Sequence, residues 1–440
     1  MNKSKRVFVT FLFLLFLCPF LCPLGTIYAL DYSELADTLT NLGYFESSKN
    51  EGTTSYRSLL IPVGGRPESL GSAYTGLCDD TGYINYNAAA SCLLSNTQAS
   101  AYHNSWIADS KLDTIVYTTR VDNFGFGIQA GCLYMPFSEY NLFGERVNAS
   151  YYSETNIAAN ISYNFLAGYD FKGLALGTTI KSVFRSVPDY TDNNTDAIIP
   201  LSGLSQSGIG IMADVGLMLQ FNFLKFFASR TPNVRIGISV QNIGAAFTGF
   251  GSKKGVRLDD PLPTYFAAGF SCQFLPVITA TFDIKQPVNL YHPGQYQTFS
   301  LSGGFILAFT NNFSLLLGTE FKGGNPRFSV GSEVQLSNAR LNFNYTLDLT
   351  SSLSPVNRMS VSAKIILGDR GRAERQKKID EYYLNGLDYY ANSEWEKAIA
   401  EWEEVLKLNK RYDPAILGIE SARTQMEMYE RVRESMFFEE

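Results

Sequence analysis

Apolar and polar residues alternate along most of the chain between residues 97 and 367. The clearest run, LNFNYTLDL, begins at Leu341 and alternates Leu341 and Phe343 with Asn342 and Asn344. A period of two residues is typical of β-strands with one apolar and one polar face. Counting such runs predicts about fourteen strands, an even number, each about as long as a tilted strand that crosses a membrane. The predicted spans are 97–108, 112–121, 124–135, 153–167, 171–185, 207–222, 233–243, 263–275, 277–285, 295–309, 312–322, 326–337, 339–349 and 357–367.

The connections between these runs alternate in length, apart from a short first and eleventh connection and a longish sixth. Outer-membrane barrels have short periplasmic turns and longer external loops. A soluble β-sandwich or propeller also has alternating strands, but the strand lengths and this rhythm favour an antiparallel transmembrane barrel at 97–367 with both ends periplasmic. Tight turns are predicted at 122–123, 168–170, 276, 311 and 338, and long loops at 136–152, 186–206, 244–262, 286–294 and 350–356.

The charged residues within the strands are expected to face the lumen of this barrel. A charge that faces lipid at mid-bilayer costs about 2 to 4 kcal/mol. Their simplest role is to pair or to be solvated inside the barrel, and no pattern assigns a ligand-binding residue. The lumen candidates are Arg235, Asp283, Lys285, Glu320, Glu333, Asp348 and Lys364.

The stretch before the strands, residues 61–96, shows neither the helical nor the strand period. It is rich in Gly and Ala and contains the acid pair Asp79 and Asp80. Such a stretch predicts compact irregular backbone, and its position before a barrel indicates a plug inside the lumen. Residues 30–60 are polar and weakly patterned, and no chemistry is assigned to them.

Residues 1–29 have the pattern of a signal peptide. Lys3, Lys5 and Arg6 precede an apolar run, and a cleavage site is predicted after Ala29. A retained anchor helix is the alternative, but two prolines interrupt the run that such a helix needs. The signal indicates export towards the outer membrane.

The end of the chain changes to a helical pattern. After Leu367 a charged linker is predicted at 368–378, followed by helices at 379–434 with a third helix starting near Asp413. A tetratricopeptide repeat places a small residue where two helices approach and an aromatic residue in the groove. An ordinary helical hairpin is the alternative, because only one repeat is visible. The residues with the spacing of the repeat are Gly386, Tyr389, Ala398 and Trp402.

Composition agrees with an exported barrel. The 440 residues carry a formal net charge of -6, so no basic surface indicates nucleic acid. Aromatic residues make up 14% of a chain whose mean hydropathy is only -0.06, as expected when one face of each strand is polar. Cys78 and Cys92 could form a disulfide or remain buried thiols. No cysteine or histidine cluster predicts a metal, and no cofactor is expected.

An enzyme is not expected. The chain has two histidines, His103 and His292. His103 lies two residues from Ser105 on one predicted strand, and the simplest interpretation is a lumenal hydrogen bond. Covalent catalysis requires an oriented base beside its nucleophile, and the sequence does not indicate one.

Residues 63–367 resemble the FadL-type long-chain fatty acid transporters, in particular their spirochaete branch, which is also similar to PorV-like barrels. The most specific part of this resemblance is the segment LGSAYTGLCDDTGYINYNAAA. Asp79 and Asp80 match the acidic position of that family. Asn87 and Ala89 match its Asn-Pro-Ala motif, and Ala88 stands where the family has Pro. This departure removes a fixed φ at the entry to the barrel.

The resemblance implies passive uptake of long-chain fatty acids or similar hydrophobic molecules across the outer membrane. A ligand would be caught by the external loops and would leave sideways or downward after the plug shifts. The polar lumen would need a group for the ligand's carboxylate, which Arg235 or Lys285 could supply. The alternative is a PorV-like scaffold in the outer membrane lipid, whose periplasmic helical tail binds a protein partner.

Overall fold

The structure, a computed structural model, describes residues 54–107, 109–169, 171–192, 195–248, 256–257, 261–290, 298–322, 325–349 and 356–437. The predicted signal peptide and most of the predicted polar segment lie outside these residues. The strands, numbered in chain order, are β1 (Thr97–Ser105), β2 (Lys111–Val121), β3 (Phe124–Tyr140), β4 (Arg146–Phe165), β5 (Leu174–Ser186), β6 (Gly208–Phe221), β7 (Val234–Thr248), β8 (Val256–Arg257), β9 (Tyr265–Leu275), β10 (Ile278–Pro287), β11 (Ser300–Ala308), β12 (Phe313–Lys322), β13 (Asn325–Gln335), β14 (Ala339–Asp348) and β15 (Val356–Gly368).

Fourteen of these strands close into an antiparallel barrel, which confirms the predicted barrel. Each strand pairs with its chain neighbours, β7 pairs with β9, and the two-residue β8 only extends the end of β7. The first and last strands pair directly, with Ala101 opposite Ala363. Closure gives each of the fourteen strands a partner on both sides, as a bilayer requires.

The two faces of the wall separate by polarity. On β14, Phe343 is 50% exposed on the outer face, whereas Asn342 and Asn344 are buried on the inner face. An apolar outer face of this kind is in contact with lipid in outer-membrane barrels, so the wall spans a membrane. Further exposed apolar residues on the outer face are Ile115, Ile128, Ile161, Ile180, Val215, Ile238, Phe270, Phe282, Phe305, Val330 and Val361.

The predicted long loop at 136–152 is wrong. β3 and β4 remain paired as far as Tyr140 and Arg146 and form a long hairpin. Pro136 lies within β3 beyond Tyr134, the last residue of β3 that pairs with β2. One edge of β3 is unpaired there and tolerates a residue without an N–H group.

Residues 54–96, the lumen segment, fold inside the barrel as short helical turns joined by irregular backbone. The turns are Arg57–Leu60, α1 (Arg66–Ser69), Thr81–Asn85 and Ala88–Leu93. The predicted start at residue 61 is too late, because Tyr56 is already only 2% exposed. Tyr56 packs with Val183 and Met212 on the inner face of the wall. Aromatic burial therefore anchors the segment before its Gly-rich part begins.

Three helices follow the barrel: α2 (Arg372–Ala391), α3 (Trp395–Leu408) and α4 (Asp413–Phe437). The third helix begins where it was predicted, but the charged linker is shorter than 368–378. Asp369 accepts a 2.6 Å hydrogen bond from the backbone N–H of Ala373, which lowers the pKa of its carboxyl group. No helix among the described residues is long and apolar enough to cross a membrane.

The helical tail packs against the barrel end where β1 begins and β15 ends, called here the turn end. It reaches the turns between β2 and β3, β4 and β5, and β6 and β7. Burial in this contact raises the pKa of Tyr412 to about 12. The contacts are the ion pairs Arg375–Asp122 at 2.8 Å and Arg230–Asp380 at 2.7 Å, and the rings of Tyr169 and Tyr412 at 4.8 Å.

Candidate functional site

Glycines on the inner face allow the lumen segment to touch the wall directly. A Cβ atom added to Gly318 would overlap the backbone nitrogen of Gly71, and one added to Gly177 would overlap the carbonyl oxygen of Ala88. Glycine is the residue that permits such backbone approach. The same close approach occurs at Gly125, Gly216, Gly237, Gly269 and Gly304.

The acid pair of the lumen segment is bound by cations of the segment and of the wall. Asp80 Oδ2 lies 2.9 Å from Lys364 Nζ on β15, and Asp80 Oδ1 accepts a 2.7 Å hydrogen bond from the Tyr74 hydroxyl. Asp79 Oδ2 lies 3.0 Å from Arg66 Nη2. Asp80 is buried, whereas Asp79 is partly exposed. The predicted acidic position therefore connects the segment to the wall.

The Asn-Ala-Ala motif caps a helical turn and also contacts two strands. Asn87 Oδ1 accepts a 3.1 Å hydrogen bond from the N–H of Ala89, and Asn87 Nδ2 donates to the Leu217 carbonyl on β6 at 3.0 Å. The Ala88 carbonyl accepts from Asn160 Nδ2 on β4 at 2.9 Å. Ala88 occupies the first position of the turn, where proline is also favoured.

Two further lumen candidates bind the segment. Glu333 Oε1 lies 2.6 Å from Arg66 Nη1. Asp283 Oδ2 accepts the backbone N–H groups of Tyr74 at 2.8 Å and Thr75 at 2.7 Å. Sequence reasoning did not single out Arg66, because a lone arginine next to Pro in an irregular stretch carries no pattern.

Glu320 and Asp348 are brought together on the wall by arginine. Arg327 pairs with Glu320 at 3.1 Å and with Asp348 at 2.7 Å. Arg358, also paired with Asp348 at 3.2 Å, lies 3.9 Å from the centre of the Trp106 ring. This cluster is a network of structural ion pairs on β12 to β15.

Arg235 and Lys285 differ from the other lumen candidates. Arg235 Nη1 donates a 2.8 Å hydrogen bond to the Leu77 carbonyl, and Lys285 Nζ lies 4.7 Å from the centre of the Tyr86 ring. Neither cation forms an ion pair with a carboxylate in the part of the chain that the structure describes. Each lines one of two cavities on opposite sides of the lumen segment.

The loop-end cavity, opposite the turn end, has a volume of about 620 Å³. Its lining is mainly apolar and comes from the lumen segment and from the loop ends of the strands. Lys285 lies on its wall. The apolar lining includes Ile61, Val63, Trp106, Leu133, Met135 and Tyr265.

The turn-end cavity has a volume of about 560 Å³ and lies between the lumen segment and the tight turns. Arg235 lies on its wall with three other arginines. The lumen segment thus has a cavity on each side, with Lys285 on the wall of the loop-end cavity and Arg235 on the wall of the turn-end cavity.

The expectation that His103 makes a lumenal hydrogen bond is wrong. His103 lies on the outer face, and its Nδ1 atom is 2.6 Å from Oδ1 of Asp113 on β2. Inward positions of β1 are Tyr102 and Asn104, which are buried. The outer face of β1 carries small residues, so the sequence has no large apolar side chains there to show which face of this strand points to the lipid. His292 lies outside the described residues.

In the tail, the residues with repeat spacing pack around one aromatic ring. A Cβ atom added to Gly386 would overlap the indole of Trp402, which is 1% exposed. Ala398 is fully buried, and Tyr389 packs against the same cluster. Close approach of α2 and α3 therefore depends on glycine at 386.

Cys78 and Cys92 are both buried, free thiols. Their Sγ atoms donate to the carbonyls of Tyr74 at 3.0 Å and Ala89 at 3.2 Å. Among the residues with described positions, no group of three His, Cys, Asp or Glu side chains could hold a metal ion.

Three solved structures are similar to the chain at low scores. The toluene transporter TbuX of Ralstonia pickettii is 13% identical with a TM-score of 0.45, covering 69% of this chain and 98% of its own. The toluene transporter TodX of Pseudomonas putida is 12% identical with a TM-score of 0.45, and the match covers 68% of this chain and 96% of TodX. A FadL homologue of Pseudomonas aeruginosa is 11% identical with a TM-score of 0.40, and the match covers 67% of this chain and 96% of the homologue.

Relatives by sequence come from Treponema pallidum (strain Nichols). One UPF0164 protein is 27% identical over 399 residues, which are 89% of this chain and 88% of the relative. A second is 26% identical and covers 89% of this chain and 80% of its own length. Residues 36–370 match the uncharacterised protein family UPF0164. This range includes the lumen segment and the whole barrel wall. The chain therefore belongs to the UPF0164 family.

Proposed function

We propose that this protein is an outer-membrane channel for the passive uptake of hydrophobic molecules with an anionic head group, with long-chain fatty acids as the substrate class. The observation that carries this proposal is the loop-end cavity, in which a mainly apolar lining surrounds Lys285. Its volume of about 620 Å³ is typical of a small-molecule site.

The chemistry of this cavity fits an amphiphile. Trp106, Leu133 and Met135 supply apolar surface for an acyl chain, and burial of each CH₂ group contributes about 0.8 kcal/mol. Lys285 supplies a cation for the carboxylate. The other charged residues of the lining are Arg57, Glu154, Glu320, Lys322 and Arg327, and Glu320 pairs with Arg327 at 3.1 Å. The resemblance to FadL-type transporters seen in the sequence supports the same substrate class.

The lumen segment acts as the plug of this channel. It is bound to the wall by polar contacts such as Asp80–Lys364 and Arg66–Glu333 as well as by direct backbone approach. The polar contacts can be exchanged for water or for a ligand, while apolar residues of the segment such as Leu70 stay packed in the cluster that includes Leu316 of the wall. The plug therefore shifts, rather than unfolds, when a substrate passes.

Bromine quenching tests this proposal on the full-length protein in detergent. Of the three tryptophans, only Trp106 lines the loop-end cavity. We expect 9,10-dibromostearate to quench part of the fluorescence saturably, and Trp106→Phe to abolish that part. Lys285→Gln should weaken binding of the acid but not of the matching brominated alcohol. Quenching that survives Trp106→Phe, or no saturable quenching at all, would contradict the proposal.

A second function, scaffolding, is favoured by one observation on the tail. Leu384 and Leu417 are each 62% exposed, although the tail is already docked on the barrel. A periplasmic protein partner would cover these residues. A photo-crosslinking residue at 384 or 417 should capture one defined protein in intact cells, and one at the exposed Glu396 should not. Equal capture at all three positions would argue against a specific partner.

A further inference from the structure

We infer that the turn-end cavity is an exit chamber in which Arg235 binds the carboxylate of the transported molecule. This inference rests on the proposed function and assigns a second binding step to it. The cavity lies on the far side of the lumen segment from Lys285, so a molecule leaving through the barrel end must cross it.

The charges that line this chamber favour an anion. Four cations face two acids, although the whole chain is acidic with a formal net charge of -6. All four cations are arginines, whose planar guanidinium groups bind a carboxylate through two parallel hydrogen bonds. The charged lining consists of Arg66, Arg230, Arg235, Arg340, Asp79 and Glu333.

Three of these arginines are already paired with acids. Arg66 is 3.0 Å from Asp79 and 2.6 Å from Glu333, and Arg340 is 3.4 Å from Glu333. Arg230 pairs with Asp380 of the tail. Both acids of the lining are therefore engaged with Arg66 and Arg340. Arg235 is the arginine of the lining that has no carboxylate partner among the described residues.

Apolar groups of the same cavity would hold the rest of the molecule. Leu77, Leu93, Val277 and Ile306 line the chamber together with Arg235. An apolar chain with one anionic end matches this arrangement, whereas a neutral solute would leave Arg235 without a counter-charge. The rest of the lining is mostly polar, so the anionic head is the part of the molecule that the chamber binds specifically.

Binding at Arg235 would also act on the lumen segment. Its guanidinium donates to the Leu77 carbonyl, and the next residue, Cys78, has a φ of 35°, which L-residues rarely adopt. A carboxylate that draws Arg235 away would remove this hydrogen bond at a strained position. The ligand thereby loosens the segment at the point where it leaves.

The test places a reporter in each cavity of the full-length protein. Trp106 reports on the loop-end cavity. Gln273→Trp, combined with Trp106→Phe, moves the reporter to the lining of the turn-end cavity. The probe is 9,10-dibromostearate, and the brominated alcohol of the same chain is the neutral control. Arg235→Gln removes the charge and keeps a donor for Leu77, and Arg235→Lys keeps the charge.

We expect Arg235→Gln to raise the half-saturating concentration of the acid at the turn-end reporter by at least about tenfold, because hydrogen bonds to charged groups are among the strong ones. Arg235→Lys should recover part of the loss. Quenching of Trp106 and binding of the alcohol should not change.

Two outcomes separate the inference from the function on which it rests. The exit chamber is wrong and the proposed channel is retained if the acid quenches Trp106 but Arg235→Gln does not change quenching at the turn-end reporter. The same conclusion follows if Arg235→Gln weakens binding of the acid and of the alcohol at that reporter equally. If the acid quenches neither reporter in the protein with Arg235 intact, the proposed channel itself fails, and the exit chamber fails with it.

Discussion

At the scale of single residues, the inner-face glycines determine how closely the lumen segment can approach the wall. Gly318→Ala would place a methyl group on the backbone of Gly71, so we expect destabilisation of about 1 to 3 kcal/mol. Gly303→Ala is the matched control, because its nearest neighbouring atom, the Thr281 carbonyl oxygen, is 4.0 Å away. Urea unfolding in detergent and proteolysis of the lumen segment measure the effect. Equal stability of the two variants would argue against direct contact of segment and wall.

The buried pair of Asp80 and Lys364 gives a second prediction. The side chains are 5% and 7% exposed, so Lys364→Met leaves a carboxylate buried without its counter-charge. Such changes cost about 3 to 5 kcal/mol. Asp80→Asn combined with Lys364→Met should lose less stability than Lys364→Met alone. A double variant whose loss equals the sum of the two single losses would show that the pair is not coupled.

The sequence predicted which residues face the lumen better than it predicted their partners. Alternation gives the direction of a side chain such as Glu333, because the strand period is two. It does not give the partner Arg66, which is 267 residues away and meets Glu333 only when the barrel closes around the segment. His103 was assigned to the wrong face because its strand has alanines where larger apolar residues would mark the lipid side.

At the scale of elements, the contact between α2 and α3 depends on one glycine. Gly386→Ala would drive a methyl group into the Trp402 indole, so the helix pair must separate or shift. We expect loss of tail helicity and a red shift of Trp402 emission, with the barrel unchanged. Asn385→Ala, at an exposed position of the same helix, is the control. Unchanged Trp402 emission in Gly386→Ala would contradict the repeat-like packing.

Strands were predictable and element ends were less so, for identifiable reasons. Alternation extends through the whole barrel, but Pro136 resembles a strand end unless the length of the neighbouring strand is known. The stretch after Gly368 resembles a linker because seven of the ten residues 369–378 are charged. In the structure Glu374 and Lys378 form a 3.2 Å pair at i and i+4, which supports an exposed helix there.

At the scale of the whole molecule, the cavities could not be predicted, because they are the space left between the lumen segment and the wall. The residue types that line them are ordinary strand residues in the sequence. Lys285 and Arg235 become distinct only when the other lumen candidates are seen to form ion pairs or, for Asp283, to bind backbone N–H groups. Both candidate binding steps are therefore properties of the closed barrel with its segment in place.

The position of the tail makes the orientation of the barrel testable. β1 starts and β15 ends at the turn end, and the tail packs there, so the tail and the long β3–β4 hairpin lie on opposite sides of the membrane. Leu142, at the tip of that hairpin, is 91% exposed, and the Lys407 side chain on α3 is 69% exposed. A membrane-impermeant maleimide should label Leu142→Cys on intact cells, above the background of the parent protein, and Lys407→Cys only after the outer membrane is opened. Because short turns face the periplasm in such barrels, the reverse pattern would place the tail outside the cell and remove it from the exit path of the channel.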